Sequence, residues 1–207
     1  MSTAEQVKPM KRQNTRERIL VTCRKLFNTS GVAAVTTAAI AEAVGINEGN
    51  LYYYFKKKAD IVSELFEQFA AEQLRVASQQ DDLHLWFQLM WEWRFFYRDS
   101  MTLFALDPSL RPRLQTLSDE VQAHGRAKLL AMIGSGRMNL REEQVEALLE
   151  NAWIVSTYWI EYLHSRHGIV RVTRKHLNWG YNQMAALFEP YLVRSRDVRA
   201  AAGEQAE

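Results

Sequence analysis

Apolar residues recur at helical spacing along nearly all of this 207-residue chain, and strand-period alternation is absent apart from the short Ile169-Val170 stretch, which a loop explains. That pattern confines the chain to an all-α fold. Residues 15–29 place Ile19, Leu20, Cys23, Leu26 and Phe27 on one face, and Gly31 follows as a left-handed cap. Thr36-Thr37 opens a second helix carrying Ile40, Ala41 and Val44. Gly45 forces a tight turn, and Asn47 caps a short third helix with Leu51, Tyr52, Tyr54 and Phe55. A fourth helix spans 59–77, with Ile61, Leu65, Phe69 and Leu74 inward, and a fifth spans 82–98. Asp107-Pro108 starts a short helix that gives way to another over 117–133, ended by Gly134-Ser135-Gly136. Asn139 with Glu142 forms a capping-box pattern before a long helix to 164, and Thr173 caps a last helix to 193.

The length allows a small domain followed by a medium one, with boundaries expected at 1–58 and 59–207. The charge is unevenly divided between them. Residues 1–58 hold ten Lys and Arg against four Glu, while the whole chain carries only +2. A basic head on an acidic remainder suits contact with a polyanion. Cys23 is the only cysteine, so an intrachain disulfide is excluded, and its apolar neighbours make it a small core residue. No secretory leader or bilayer-spanning run is visible, and a cytoplasmic location without membrane contact is expected.

The most specific stretch is 36–58, TTAAIAEAVGINEGNLYYYFKKK. Thr37 can cap the second helix and direct its free N–H groups at a phosphate. Ala41 is small where two helices cross. The third helix begins with Asn47, Glu48, Gly49 and Asn50, small polar residues that a DNA major groove accepts, while Leu51 and Phe55 turn to the core. Tyr52, Tyr54 and Lys58 flank that edge with hydroxyl and ammonium groups.

Together with Ile19-Leu20, Leu26-Phe27, Gly31, Thr36-Thr37, Ile40-Ala41, Gly45, Gly49, Leu51-Tyr52, Phe55 and Lys58, these positions resemble the DNA-binding domain of the TetR family of bacterial transcriptional regulators. The resemblance implies a three-helix helix-turn-helix head, with a larger helical ligand-binding and dimerisation body behind it. It implies phosphate contacts at Thr37, Tyr52, Tyr54 and Lys58, a base-facing edge at Ala38, Asn47, Glu48, Gly49 and Asn50, and a DNA-binding place for Thr36. Arg12 and Arg16 are implied near the backbone or minor groove. Glu48 departs from the family pattern by placing an acid on that edge. It can accept from a cytosine amine, but stabilising the helix N-terminus is the favoured role.

The remainder is rich in aromatics. Residues 86–99 hold Trp86, Phe87, Trp91, Trp93, Phe95, Phe96 and Tyr97, distributed all round a helix. With Trp153 and Trp159 they suggest an aromatic-lined pocket, for which Trp86, Trp91, Trp93, Phe96, Trp153 and Trp159 are the candidate walls. Residues 145–163 are apolar on more than one face, and the last helix offers Leu177, Tyr181, Met184, Ala185 and Phe188 as a stripe. Paired across a two-fold axis, these would give a homodimer through a four-helix bundle.

Enzyme chemistry finds no support. The five histidines are scattered, Glu161-His164-His167 reads as an exposed helix end rather than a metal site, and no phosphate loop or nucleophile elbow occurs. No cofactor is implied. The expected activity is repression from a double-stranded palindromic operator bound by a dimer and released by a small apolar or aromatic ligand. The alternative is a DNA-binding regulator without a small ligand, controlled by a protein partner.

Overall fold

A computed structural model describes residues 14–79 and 83–193. Among them are ten α-helices and two 3-10 turns, and the only strand-like pairing is an isolated bridge between Met138 and Leu192. No helix among the described residues is long and apolar enough to cross a membrane. The chain divides into two compact units, Met1–Leu65 and Phe66–Glu207.

The first unit contains α1 (Thr15–Ser30), α2 (Thr37–Val44), α3 (Glu48–Tyr54) and the start of α4 (Lys58–Ser78). Ile19, Leu20, Cys23 and Phe27 of α1 are buried with Ile40, Ala41 and Val44 of α2, Leu51 of α3, and Ile61, Val62 and Leu65 of α4. Burial raises the Cys23 thiol to about 12, so it stays protonated and inert. Gly31 differs from the expected left-handed cap. Its φ of 85° is positive, but ψ of 152° puts it in an extended region open almost only to glycine.

The second unit holds α5 (Leu83–Glu92), α6 (Arg94–Arg98), α7 (Ser100–Leu106), α8 (Leu110–Gly134), α9 (Val145–His167) and α10 (Arg174–Phe188). α9 packs against α6, α8 and α10, and α10 also packs against α5. Several boundaries depart from the sequence reading. The expected fifth helix is broken at Trp93, whose backbone is non-helical (φ −118°, ψ 23°). The break brings Trp93, Phe95 and Phe96 all into the interior, and the Trp93 indole donates to Glu72 at 2.9 Å. Leu74 is only half-buried, while its neighbour Gln73 is buried instead.

Asp107-Pro108 does not start a helix. Asp107 caps the end of α7 and its carboxylate accepts from the Ser109 amide and hydroxyl at 3.1 and 2.7 Å. No break occurs near Leu117 either. α8 runs unbroken because Pro112 lies in its first turn, where a missing N–H costs no internal bond. Asn139 caps nothing: its amide donates to the Tyr191 carbonyl at 2.7 Å, and α9 is preceded by a 3-10 turn at Glu142–Gln144. The last helix stops at Phe188, and a 3-10 turn through Pro190 follows. Thr173 does cap α10, and Gly168 (φ 65°, ψ 22°) ends α9 in the left-handed conformation.

The two apolar faces proposed for pairing fare differently. On α10, Met184 is buried, and Leu177, Tyr181 and Phe188 pack on a core shared with Phe87, Met90, Trp159 and Ile160 of the same chain. On α9, Ile154 (45 % exposed), Tyr158 (53 %) and Tyr162 (47 %) form an open stripe at successive helical turns. Tyr162 stacks on Trp179 of α10, with ring centroids 5.9 Å apart.

Two glycines within helices give contrasting expectations. A Cβ at Gly180 would lie 3.0 Å from two ring carbons of buried Trp159 and 3.2 Å from Phe87, whereas one at Gly125 would meet only the mobile tip of Leu149. Gly125→Ala should therefore stabilise the protein by about 0.5–1 kcal/mol through helix propensity. Gly180→Ala should destabilise it by about 1–2 kcal/mol, overpacking outweighing that gain. Urea unfolding of both variants checks the opposite signs.

Candidate nucleic-acid interface and body cavity

Short helices leave most of their backbone groups without internal partners, and α2 and α3 have only eight and seven residues. Side chains supply the missing partners. Thr36, not Thr37, is the N-cap of α2, its hydroxyl accepting from the Ala39 amide at 3.1 Å. Asn47 caps α3 by accepting from the Asn50 amide at 2.7 Å. Between them Gly45 adopts the left-handed conformation (φ 76°, ψ 39°), and the amides of Gly45 and Ile46 close onto Glu42 and Ala41 at 3.0 Å. The turn angle between the two helices follows from these bonds.

Cations complete the opposite ends. Arg18 donates to the Val44 carbonyl at 2.7 Å. Lys58 donates to the carbonyls of Val32 and Val35, both at 2.9 Å, and desolvation lowers its pKa. Arg16 donates to the Tyr54 carbonyl at 3.0 Å, lies over the Phe55 ring, and forms a two-pronged ion pair with Glu64. Lys58 and Arg16, both expected at DNA, thus tie together the helices that carry the exposed edge. Arg12 lies outside the described residues.

That edge comprises Asn47, Glu48, Gly49 and Asn50, all exposed, with Thr36 and Ala38 exposed on α2. Gly49 has no steric need of its own, since a Cβ there would meet only the Asn47 side chain, at 3.4 Å. Its bareness leaves backbone approachable from outside. The Thr37 and Tyr52 hydroxyls lie 3.1 Å apart and link the start of α2 to α3. Tyr54 is half-buried, edge-on to Tyr53. Tyr53, which the sequence reading passed over, is 76 % exposed. Its spacing from Gly49 and Asn50, four and three residues, puts it on their face, and helical register alone could have found it.

In the second unit a cavity of about 320 Å³ is walled by Phe66, Phe69, Trp86, Phe96, Phe104 and Trp153. Of the six candidate pocket residues, Trp86, Phe96 and Trp153 line it and the other three do not. Trp93 is fully buried against Glu72. Trp91 is covered by Arg94, whose guanidinium lies 4.4 Å from its ring centre. Trp159 is packed against Gly180, and its indole nitrogen has no partner among the described residues.

A tight left-handed turn between two short helices, the second exposing a polar edge, defines a helix-turn-helix unit. Comparison with known proteins makes the assignment specific. The family model for bacterial regulatory proteins of the tetR family matches residues 19–65, and the TetR bacterial transcriptional repressor model matches residues 59–197. The chain belongs to the TetR family, whose matching models describe bacterial regulatory proteins and transcriptional repressors. It is 40% identical over 55 residues to the regulator AcrR of Shigella flexneri, covering 27% of this chain and 26% of that protein. It is 28% identical over 92 residues to QacR of Staphylococcus aureus, covering 41% and 49%. The chain thus spans between a quarter and a half of these curated relatives. A TetR-family regulator from Marinobacter aquaeolei VT8 superposes with a TM-score of 0.79 at 29% identity, over 93% of this chain and 98% of that one.

The bonds made by Lys58 generate a direct expectation. Lys58→Met leaves two carbonyls without their donor and should cost about 1–3 kcal/mol of stability. Lys57→Ala, at an exposed side chain, should change stability by less than about 0.5 kcal/mol. Chemical denaturation monitored by circular dichroism distinguishes the two.

Proposed function

We propose that this chain is a repressor that binds a palindromic operator as a homodimer, acting in the cytoplasm, and is released when a small molecule occupies the body cavity. The observation that carries the reading is the exposed, small and polar edge of α3, bridged to the start of α2 through Thr37 and Tyr52. Asn47, Glu48, Gly49 and Asn50 face base edges in this reading, with Ala38 beside them. Thr36, Thr37, Tyr52 and Tyr53 meet the phosphates on either side. Arg16 and Lys58 act from behind, Arg16 by holding the end of α3 at the Tyr54 carbonyl and Lys58 by holding the loop before α2.

The open α9 stripe of Ile154, Tyr158 and Tyr162 supports pairing of two copies, since a protein surface rarely leaves such a row uncovered. Ligand control is supported by α4. One unbroken helix carries Lys58, bonded to the loop before α2, and then Phe66, Phe69 and Gln73, which line the cavity. A ligand that favours one position of α4 biases the head that α4 carries. A coupling of about 1–3 kcal/mol alters DNA affinity roughly 5–150-fold.

The test begins with an operator selected from random duplex DNA. Asn50→Ala should relax preference at one base position, at a cost of about 1–3 kcal/mol on the preferred sequence. Tyr52→Phe should weaken binding evenly across sequences. Anisotropy titrations showing neither effect would overturn the α3 assignment. Light scattering should give twice the chain mass at micromolar concentration, and Tyr158→Arg should shift it toward the monomer.

A further inference from the structure

The cavity wall combines aromatic and aliphatic side chains with several polar ones, among which Gln73 and Tyr97 form a hydrogen-bonded pair. Gln73 of α4, only 6 % exposed, donates from its side-chain amide to the Tyr97 hydroxyl of α6 at 2.6 Å, and both residues line the cavity. Neither the Gln73 amide oxygen nor the Tyr97 phenolic proton has a further partner among the described residues. The pair therefore presents one acceptor, the amide oxygen, and two donors, the phenol proton and the second amide proton. Turning the amide over keeps both kinds of group: Tyr97 then donates to Gln73, and two amide protons and a phenol lone pair remain. Ser156, the other buried polar wall residue, is already committed to the Trp153 carbonyl at 2.9 Å.

Formal charge is confined to exposed positions on the wall. Arg111 and Asp119, the Arg and Asp that line the cavity, both lie on solvent-facing turns of α8, and the Arg111 guanidinium sits over the Phe104 ring at 4.6 Å. The buried end offers no counter-ion, so a carboxylate or an ammonium placed there would lose its hydration without compensation. Desolvation also pushes the Tyr97 phenol up, which keeps it a neutral donor across the physiological range.

We propose that the cavity takes a neutral, planar aromatic molecule of the phenol or aryl-ketone class, its single hydroxyl or carbonyl seated on the Gln73–Tyr97 pair. The flat rings of Phe69, Phe96 and Trp86 match a planar ligand, and the pair supplies the orientation that stacking alone does not. The proposal rests on the cavity being the effector site. It adds that the ligand's polar group bridges α4 to α6, the helix that begins after the Trp93 break.

Equilibrium dialysis of the full-length protein against four probes of one ring size tests it: β-naphthol, naphthalene, β-naphthoate and N-methylquinolinium. β-Naphthol should bind about five- to tenfold more tightly than naphthalene, the factor expected for one hydrogen bond, and both charged probes should bind more weakly than naphthalene. Gln73→Leu should close the gap between β-naphthol and naphthalene, and the conservative Tyr97→Phe should narrow it. Equal affinities for the two neutral probes, tighter binding of either charged one, or no binding of any probe would overturn the proposal. So would a gap left undiminished in Tyr97→Phe, a variant that alters a single oxygen. Operator affinity measured with and without bound β-naphthol reports separately: binding in the expected order with operator affinity unchanged sinks ligand control and leaves the chemistry of the cavity standing.

Discussion

Everything in the N-terminal unit depends on satisfying the backbone at the ends of helices too short to stand alone. Isolated helices below about 12–15 residues are marginal in water, and α2 and α3 fall well short of that. Their N-termini are closed by Thr36 and Asn47, and carbonyls near their ends and in the preceding loop are met by Arg18, Arg16 and Lys58. These cations come from α1 and α4, so the same bonds that complete the short helices also fix them to the longer ones. Three of the ten basic side chains of residues 1–58 are thereby engaged with the protein's own backbone. The edge they hold outward is small and polar, with Glu48 as its one charged member.

The C-terminal unit answers a different demand. A segment with aromatic residues all round cannot be buried as one straight helix on one neighbour. Interrupting it at Trp93 resolves the conflict, because α6 can then turn Phe95 and Phe96 inward, where Phe96 stacks on Phe69 of α4 at 4.6 Å. Large rigid rings meeting from α4, α5, α6 and α9 do not interdigitate as aliphatic chains do, and the cavity lies among them. The polar pair of Gln73 and Tyr97 sits in its wall, joining α4 to α6 by one hydrogen bond.

The two units meet in one element of the sequence. α4 begins with a lysine that secures the loop before α2 and continues through three residues of the cavity wall. α9 has a comparable double duty, with Trp153 and Tyr158 in the cavity wall and Ile154, Tyr158 and Tyr162 on the open stripe.

What the sequence by itself determined is local. The helices of the N-terminal unit, the Gly45 turn, the caps at Asn47 and Thr173, and the ends of α8 and α9 at glycines are governed by residues within one turn of each other, and all are legible in order along the chain. The exposed edge of α3 was legible for the same reason, and Tyr53 belongs to it by register alone. The tertiary structure decided what depends on residues far apart. Lys58 and Arg16 look like solvent-facing cations until their partners, 23 to 48 residues distant, are brought beside them. The break at Trp93 and the division of six tryptophans and phenylalanines between packed core and cavity wall follow likewise from long-range packing. Local periodicity states that a residue is buried; only the assembled helices determine whether it is buried against protein or against space.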